Sequence, residues 1–141
     1  MDVVAACQAN FARNAGNCSG FVRAVAADLG IAIDPNANAD GITDTLRAGP
    51  PWAVLADGLS AADAAADGKF VVAGLRGDEQ AKPDEHGHVV VVVAGPLAHD
   101  KYPTAWWGSL GGHPGQGQTL NWAWNTQDRD NITYAAQDLP G

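Results

Sequence analysis

The sequence predicts an α+β fold, with helices in the first half of the chain and strands in the second. Three observations lead there. Apolar residues recur at helical spacing in the first half, short β-branched runs occupy the second half, and the pattern switches near Lys69. Helices first and strands afterwards imply α+β and not alternating α/β. With 141 residues, 46% of them apolar, the chain can build one core, so residues 1–141 are expected to form a single domain.

The elements follow in order. Val4, Cys7 and Phe11 share a face, which predicts a helix over about 3–13. Asn17 is a good N-cap for a second helix over 18–29, whose Phe21, Val22, Val25, Ala26 and Leu29 share one side and which Gly30 stops. Ile42 and Leu46 support a short helix over 39–48, ended by Gly49-Pro50-Pro51. Ser60-Ala-Ala-Asp63 has capping-box form and is expected to open a short helix ending at Gly68. Residues 70–75 and 88–94 read as strands; Val89 to Val93 lacks alternation, which predicts a central strand covered on both faces. Residues 76–87 form a hydrophilic loop between them. Further strands are expected over 104–109, 120–124 and 131–135. The run from Gly108 to Gly117 is too rich in glycine for helix or strand and reads as the mobile wall of a cleft.

Composition excludes several functions. Sixteen acids against eight bases give a net charge of -8, and no two of the bases are adjacent, so no nucleic-acid partner is expected. The longest apolar run, Val89 to Ala94, falls far short of the ~20 residues that span a bilayer, so no membrane insertion is expected. The N-terminus has an acid at Asp2 and no basic lead, unlike a signal peptide. Two cysteines are too few for a disulfide scaffold or a four-cysteine zinc site.

Cys18 and His88 form the informative pair. Cys18 falls at the first turn of a helix, where N–H groups and the helix dipole favour a thiolate, and it shares a face with Val25 that turns toward the sheet. His88 opens the most apolar strand, at the rim of the core. A helix-start Cys facing a strand-start His is what a papain-like nucleophile requires. A lone buried Cys is ordinarily a small hydrophobe, and a lone His before a strand is ordinarily a surface residue. Cys7, phased toward the core, is expected to be a free thiol. His86 and His88, two apart, raise the alternative of a zinc hydrolase, although the segment is not H-E-x-x-H. Trp106, Trp107, Trp122 and Trp124 cluster late, which suits a non-catalytic cell-wall or sugar-binding module as much as ordinary packing.

Beyond these residues, an ordered set of motifs covers nearly the whole chain. It comprises Asn17-Cys18-Ser19-Gly20-Phe21-Val22, Asn36-Ala37-Asn38-Ala39, Val72-Ala73-Gly74-Leu75, Gly87-His88-Val89, Gly95-Pro96-Leu97, Lys101-Tyr102-Pro103, Trp106, Gly108-Ser109 and Trp124-Asn125 with Thr126-Gln127-Asp128-Arg129-Asp130. In these the chain resembles the type VI secretion amidase effectors, first family, within the NlpC/P60-like, papain-like cysteine peptidases.

The resemblance implies a papain-like, NlpC/P60-like α+β fold with an N-terminal nucleophile helix packed on an antiparallel sheet, and a peptidoglycan amidase that cuts stem peptides between D-glutamate and the diamino acid, with Cys18 as nucleophile and His88 as base. Asn17, Ser19, Trp106, Trp107 and Ser109 become candidates for the oxyanion site or the cleft, and a backbone carbonyl around Trp106–Trp107 for orienting His88. No metal or organic cofactor is implied. Delivery by the type VI machinery, without a signal peptide, into a rival's periplasm is implied, as is a cognate immunity protein. Relatives carry a second cysteine near the C-terminus; this chain ends Asp138-Leu-Pro-Gly141 without it, and the 76–87 loop is longer and more acidic than in relatives.

Overall fold

A computed structural model describes residues 1–141. Four helices precede or interrupt six strands: α1 (Val3–Asn14), α2 (Cys18–Asp28), α3 (Ala39–Arg47), β1 (Ala53–Leu55), α4 (Gly58–Ala66), β2 (Phe70–Leu75), β3 (His88–Val92), β4 (Thr104–Trp107), β5 (Gly115–Thr119) and β6 (Thr133–Gln137). All strand pairs are antiparallel, in the order β1-β6-β2-β3-β4-β5. The fold class is α+β, as expected.

The alternating pleat of β2 and β3 builds two cores. Phe70, Val72, Val89, Val91 and Val93 face α1, α2 and α3, joined by Val3, Cys7, Phe21, Val25, Ile42 and Leu46. Val71, Ala73, Leu75, Val90 and Val92 face the other way, toward Ala61 of α4, Tyr102, Trp107, Leu120, Trp124 and Tyr134. The unbroken valine run of β3 follows from this: an interior strand covered on both faces has no solvent side to alternate with. At Gly74 a Cβ would come within 2.6 Å of Thr43 Oγ1, so the missing side chain lets α3 lie close on β2.

The structure corrects four expectations. The fourth helix starts earlier than Ser60, because Asp57 is its N-cap and accepts from Ser60 N at 2.9 Å. Residues 120–124 are no strand; Leu120–Trp122 is a 3-10 turn, closed by Ala123 N to Leu120 O at 2.9 Å. The strand lies just before it, inside the glycine-rich run, as β5 along β4. There Gly115 is required: a Cβ would enter the Trp107 ring, 2.5 Å from Cη2. Trp107 meanwhile donates its Nε1 to His113 O at 2.9 Å. The last strand covers 133–137, with 131 and 132 outside it, and the three-residue β1 has no counterpart in the pattern. No helix is long and apolar enough to cross a membrane.

Candidate active site

The start of α2 is built by Asn17. In extended conformation (φ -149, ψ 107), its Oδ1 accepts from Gly20 N at 3.0 Å and from Ser19 Oγ at 3.1 Å. This occupies the Asn17 oxygen in capping and leaves the first amides of the helix aimed outward. The α1–α2 turn is clamped to the end of β4: Ser109 N donates to Ala15 O at 2.9 Å, and Gly108 lies so near that a Cβ would meet Asn14 O and come within 2.7 Å of Asn17 O. The start of α2, and Cys18 with it, is thereby fixed against the chain that leaves β4.

Cys18 is only 5% exposed and belongs to the helix-side core, as its phase with Val25 requires. Burial pushes its thiol up, while amides of Val89, Ser19 and Cys18 itself, in that order, and the more distant Arg23 charge pull it down; burial prevails. The sulfur thus lies against the amide of Val89, the residue after His88. Cys7 is fully buried and unpaired, its thiol pushed to about 12 by burial and by Asp2.

His88 is the first residue of β3 and pairs with Leu75 on β2. By strand parity its side chain belongs to the face of Val90 and Val92, while Val89 faces Cys18, so the two candidate catalytic side chains lie toward opposite faces of the sheet with no hydrogen bond between them. The imidazole meets the Trp124 ring edge-on, at 5.1 Å between centroids and 67° between planes. Burial alone depresses His88 to about 4, so the ring is neutral at pH 7.

A cleft of about 220 Å³ opens beside the sulfur, lined by Asn17, Cys18 and Ser19 on one side, Asn38, Ala39 and Asp40 of α3 on another, and Glu85, His86, Gly87 and Leu110 as its lip. Of the candidate cleft residues, Asn17 and Ser19 border it. Trp106, Trp107 and Ser109 do not: Trp106 packs edge-on against Phe11, Trp107 is buried in the opposite core, and Ser109 serves the clamp. Asn38, Asp40 and Leu110 join the cleft without any signal that sequence reasoning used; Asn38 could have been read as the N-cap of α3, which it is, accepting from Gly41 N at 2.9 Å.

The 76–87 loop forms that lip and is well held. Asp40 Oδ1 accepts from Gly77 N at 2.9 Å, Arg76 pairs with Asp44 and Asp78, Arg47 makes a two-pronged pair with Glu79, and the buried Asp128 carboxylate accepts from Ala81 N at 2.7 Å. Gly87 must be glycine, because a Cβ would come within 2.5 Å of Asp40 Oδ1 and 2.6 Å of Leu75 O. His86 precedes the strand and borders the cleft, whereas the His88 ring packs on Trp124, so the two do not act as adjacent ligands. No group of three or more His, Cys, Asp and Glu side chains is gathered for a metal ion.

The late tryptophans do not form one binding face. Trp107 and Trp124 are in the core, Trp106 is half-buried on the other side of the sheet, and Trp122 stands 73% exposed.

An α+β fold that packs an N-terminal, cysteine-led helix on the central strands of an antiparallel sheet is the papain-like architecture. No family model matches the chain. It is 44% identical over 129 residues to Peptidoglycan amidase Tse1 of Pseudomonas aeruginosa, covering 89% of this chain and 78% of that protein. The chain belongs to the type VI secretion amidase effector family.

Proposed function

We propose that residues 1–141 act as one catalytic unit, a peptidoglycan amidase of the DL-endopeptidase type that hydrolyses the γ-D-glutamyl–diaminopimelate bond of stem peptides. The relative's printed activity supports the amidase reading. The observation that carries the chemistry is the Cys18 sulfur, held at a helix start against the Val89 amide beside the cleft.

At pH 7 the pair is a thiol and a neutral imidazole, since burial raises one and lowers the other. The His88 ring rests on Trp124, so it takes the thiol proton, as Sγ attacks the amide carbonyl, by turning across the start of β3 toward Cys18. The amides of Cys18 and Ser19 at the head of α2 face the oxyanion. The imidazolium then gives its proton to the leaving amine of the diamino acid, and the glutamyl group remains as a thioester. Water attacks the thioester, His88 accepts its proton, and the thiolate departs and is reprotonated. Every step uses side chains and amides of this chain.

In this reading the enzyme is a toxin delivered by a type VI machine into a competitor's periplasm, and a cognate immunity protein blocks the cleft in the producing cell. The test uses purified stem peptides with the wild type, Cys18→Ala and His88→Ala, each with and without a chelator, and reads the products by mass. Cleavage between D-glutamate and the diamino acid by the wild type alone, indifferent to chelator, is expected. Full activity of Cys18→Ala defeats the mechanism.

A further inference from the structure

We propose that the cavity beside Trp122 is a sugar subsite, which takes an N-acetylhexosamine ring of the glycan strand that bears the stem peptide. This rests on the reading of the chain as a stem-peptide amidase.

The cavity lies at the outer edge of the sheet, where β5 is the last strand. It measures about 370 Å³ and is lined by Trp107, Gly112, His113, Pro114, Gln118 and Trp122. A lone exposed apolar side chain needs no explanation. Trp122 differs because, 73% exposed, it walls a concave site that also carries the exposed His113 and Gln118. An indole face beside an amide and an imidazole suits a ring with apolar C–H faces and a rim of hydroxyl and acetamido groups.

Charge narrows the ligand. None of the six lining residues is Asp, Glu, Lys or Arg. Each of the four other cavities carries at least one carboxylate: Asp40 and Glu85 in the first, Asp2 in the second, Asp57 and Asp130 in the third, and Asp130 again in the last. The wall polymer bears carboxylates on its peptides, which a chain of net charge -8 repels. The sugar rings of a stem-bearing strand are neutral, so they meet this uncharged cavity without that repulsion.

The walls are set before a ligand arrives. Trp107 donates its Nε1 to His113 O at 2.9 Å, and Gly115 leaves room for its ring. This holds the turn that carries Gly112, His113 and Pro114, and so lowers the ordering cost of binding. Trp122 stands on the 3-10 turn of 120–122, whose Leu120 is anchored in the core.

The position also fits the substrate. Leu110 borders the cleft beside Cys18, and Gly112 borders the sugar cavity. Two residues of chain span at most ~7 Å. D-Glutamate is the second stem residue from the muramyl link, so the scissile carbonyl lies about 7 Å from the sugar, and somewhat more across a γ-link. The run from Gly108 to Gly117 thus borders both sites on the scale of the first two stem residues.

The binding experiment uses the Cys18→Ala protein and a tetramer of N-acetylglucosamine as probe, with Kd read by calorimetry. Trp122→Ala should weaken binding about tenfold, the loss expected on truncating an aromatic anchor. Gln118→Ala should weaken it less, and Trp122→Phe should retain most of it. Kinetics in the otherwise native protein compare a free stem tetrapeptide with the same peptide on its disaccharide. The wild type should show the lower KM for the disaccharide form. Trp122→Ala should lose that advantage while keeping its kcat/KM on the free tetrapeptide.

No binding of the tetramer, or equal Kd with and without Trp122, overturns the proposal. A disaccharide advantage that survives Trp122→Ala overturns it too. If the wild type cleaves no stem peptide, the amidase reading fails by itself, while the Kd values still decide the sugar subsite.

Discussion

At the residue scale, Cys18 and Cys7 are unequal, and a reading of residue type and helical phase already separated them. Both are buried, but Cys18 is at a helix start against a cleft while Cys7 is sealed in the core. Alkylation of the native protein should therefore modify Cys18 well before Cys7, as peptide mapping over time would show; equal labelling would contradict the assignment. The histidine has its own pH signature. Its folded-state value, near 4, lies below the ordinary value of 6.5, so the unfolded chain binds the extra proton first. This contribution to stability is complete above pH 6.5 and is lost as pH falls from 6.5 toward 4. Urea midpoints for the wild type should fall across that window more steeply than those for His88→Phe. Position along the chain identified His88 as a strand-start histidine, but not the Trp124 contact, because the 35 residues of intervening chain carry no pattern that says which ring meets which.

At the element scale, the legible parts are those with strong local physics. The second helix begins at the predicted cap because Asn17 satisfies amides that otherwise face water, and β2 and β3 fall where β-branched residues crowd. Asn17→Ala should cost about 1 kcal/mol in urea unfolding and lower activity beyond that loss, since the same cap aims the amides at Sγ. The illegible parts were decided by tertiary contact. Gly115 to Thr119 forms a strand with almost no apolar residue because β4 supplies the partner and Trp107 requires a glycine to fit beneath its ring. Ser60 satisfies the capping pattern as well as Asp57 three residues before it, so the pattern alone does not choose Asp57 as the cap. The clamp between β4 and α2 gives a sharper test. Gly108→Ala places a methyl against Asn14 O and Asn17 O, so it should destabilise the fold and displace the helix start, with residual activity falling faster than the folded fraction seen by circular dichroism.

For the whole molecule, the α+β plan was readable because helical and strand patterns are segregated along the chain, and its papain-like form came only with the resemblance of the motifs; the cleft was not readable, because its wall is assembled from α2, α3, the 76–87 loop and Leu110. The charge of -8 also acts at this scale. An acidic protein approaching a carboxylate-rich wall meets repulsion, so moderate salt should raise the initial rate on intact sacculi more than on a small soluble stem peptide. An equal response on both substrates would mean that net charge plays no part in capture. The central claim is nucleophilic catalysis by Cys18, and the most direct measurement of it is the mass of stem-peptide products from the wild type beside folded Cys18→Ala. The account predicts cleavage between D-glutamate and the diamino acid by the wild type and intact peptide with the variant; the same products from both would contradict it.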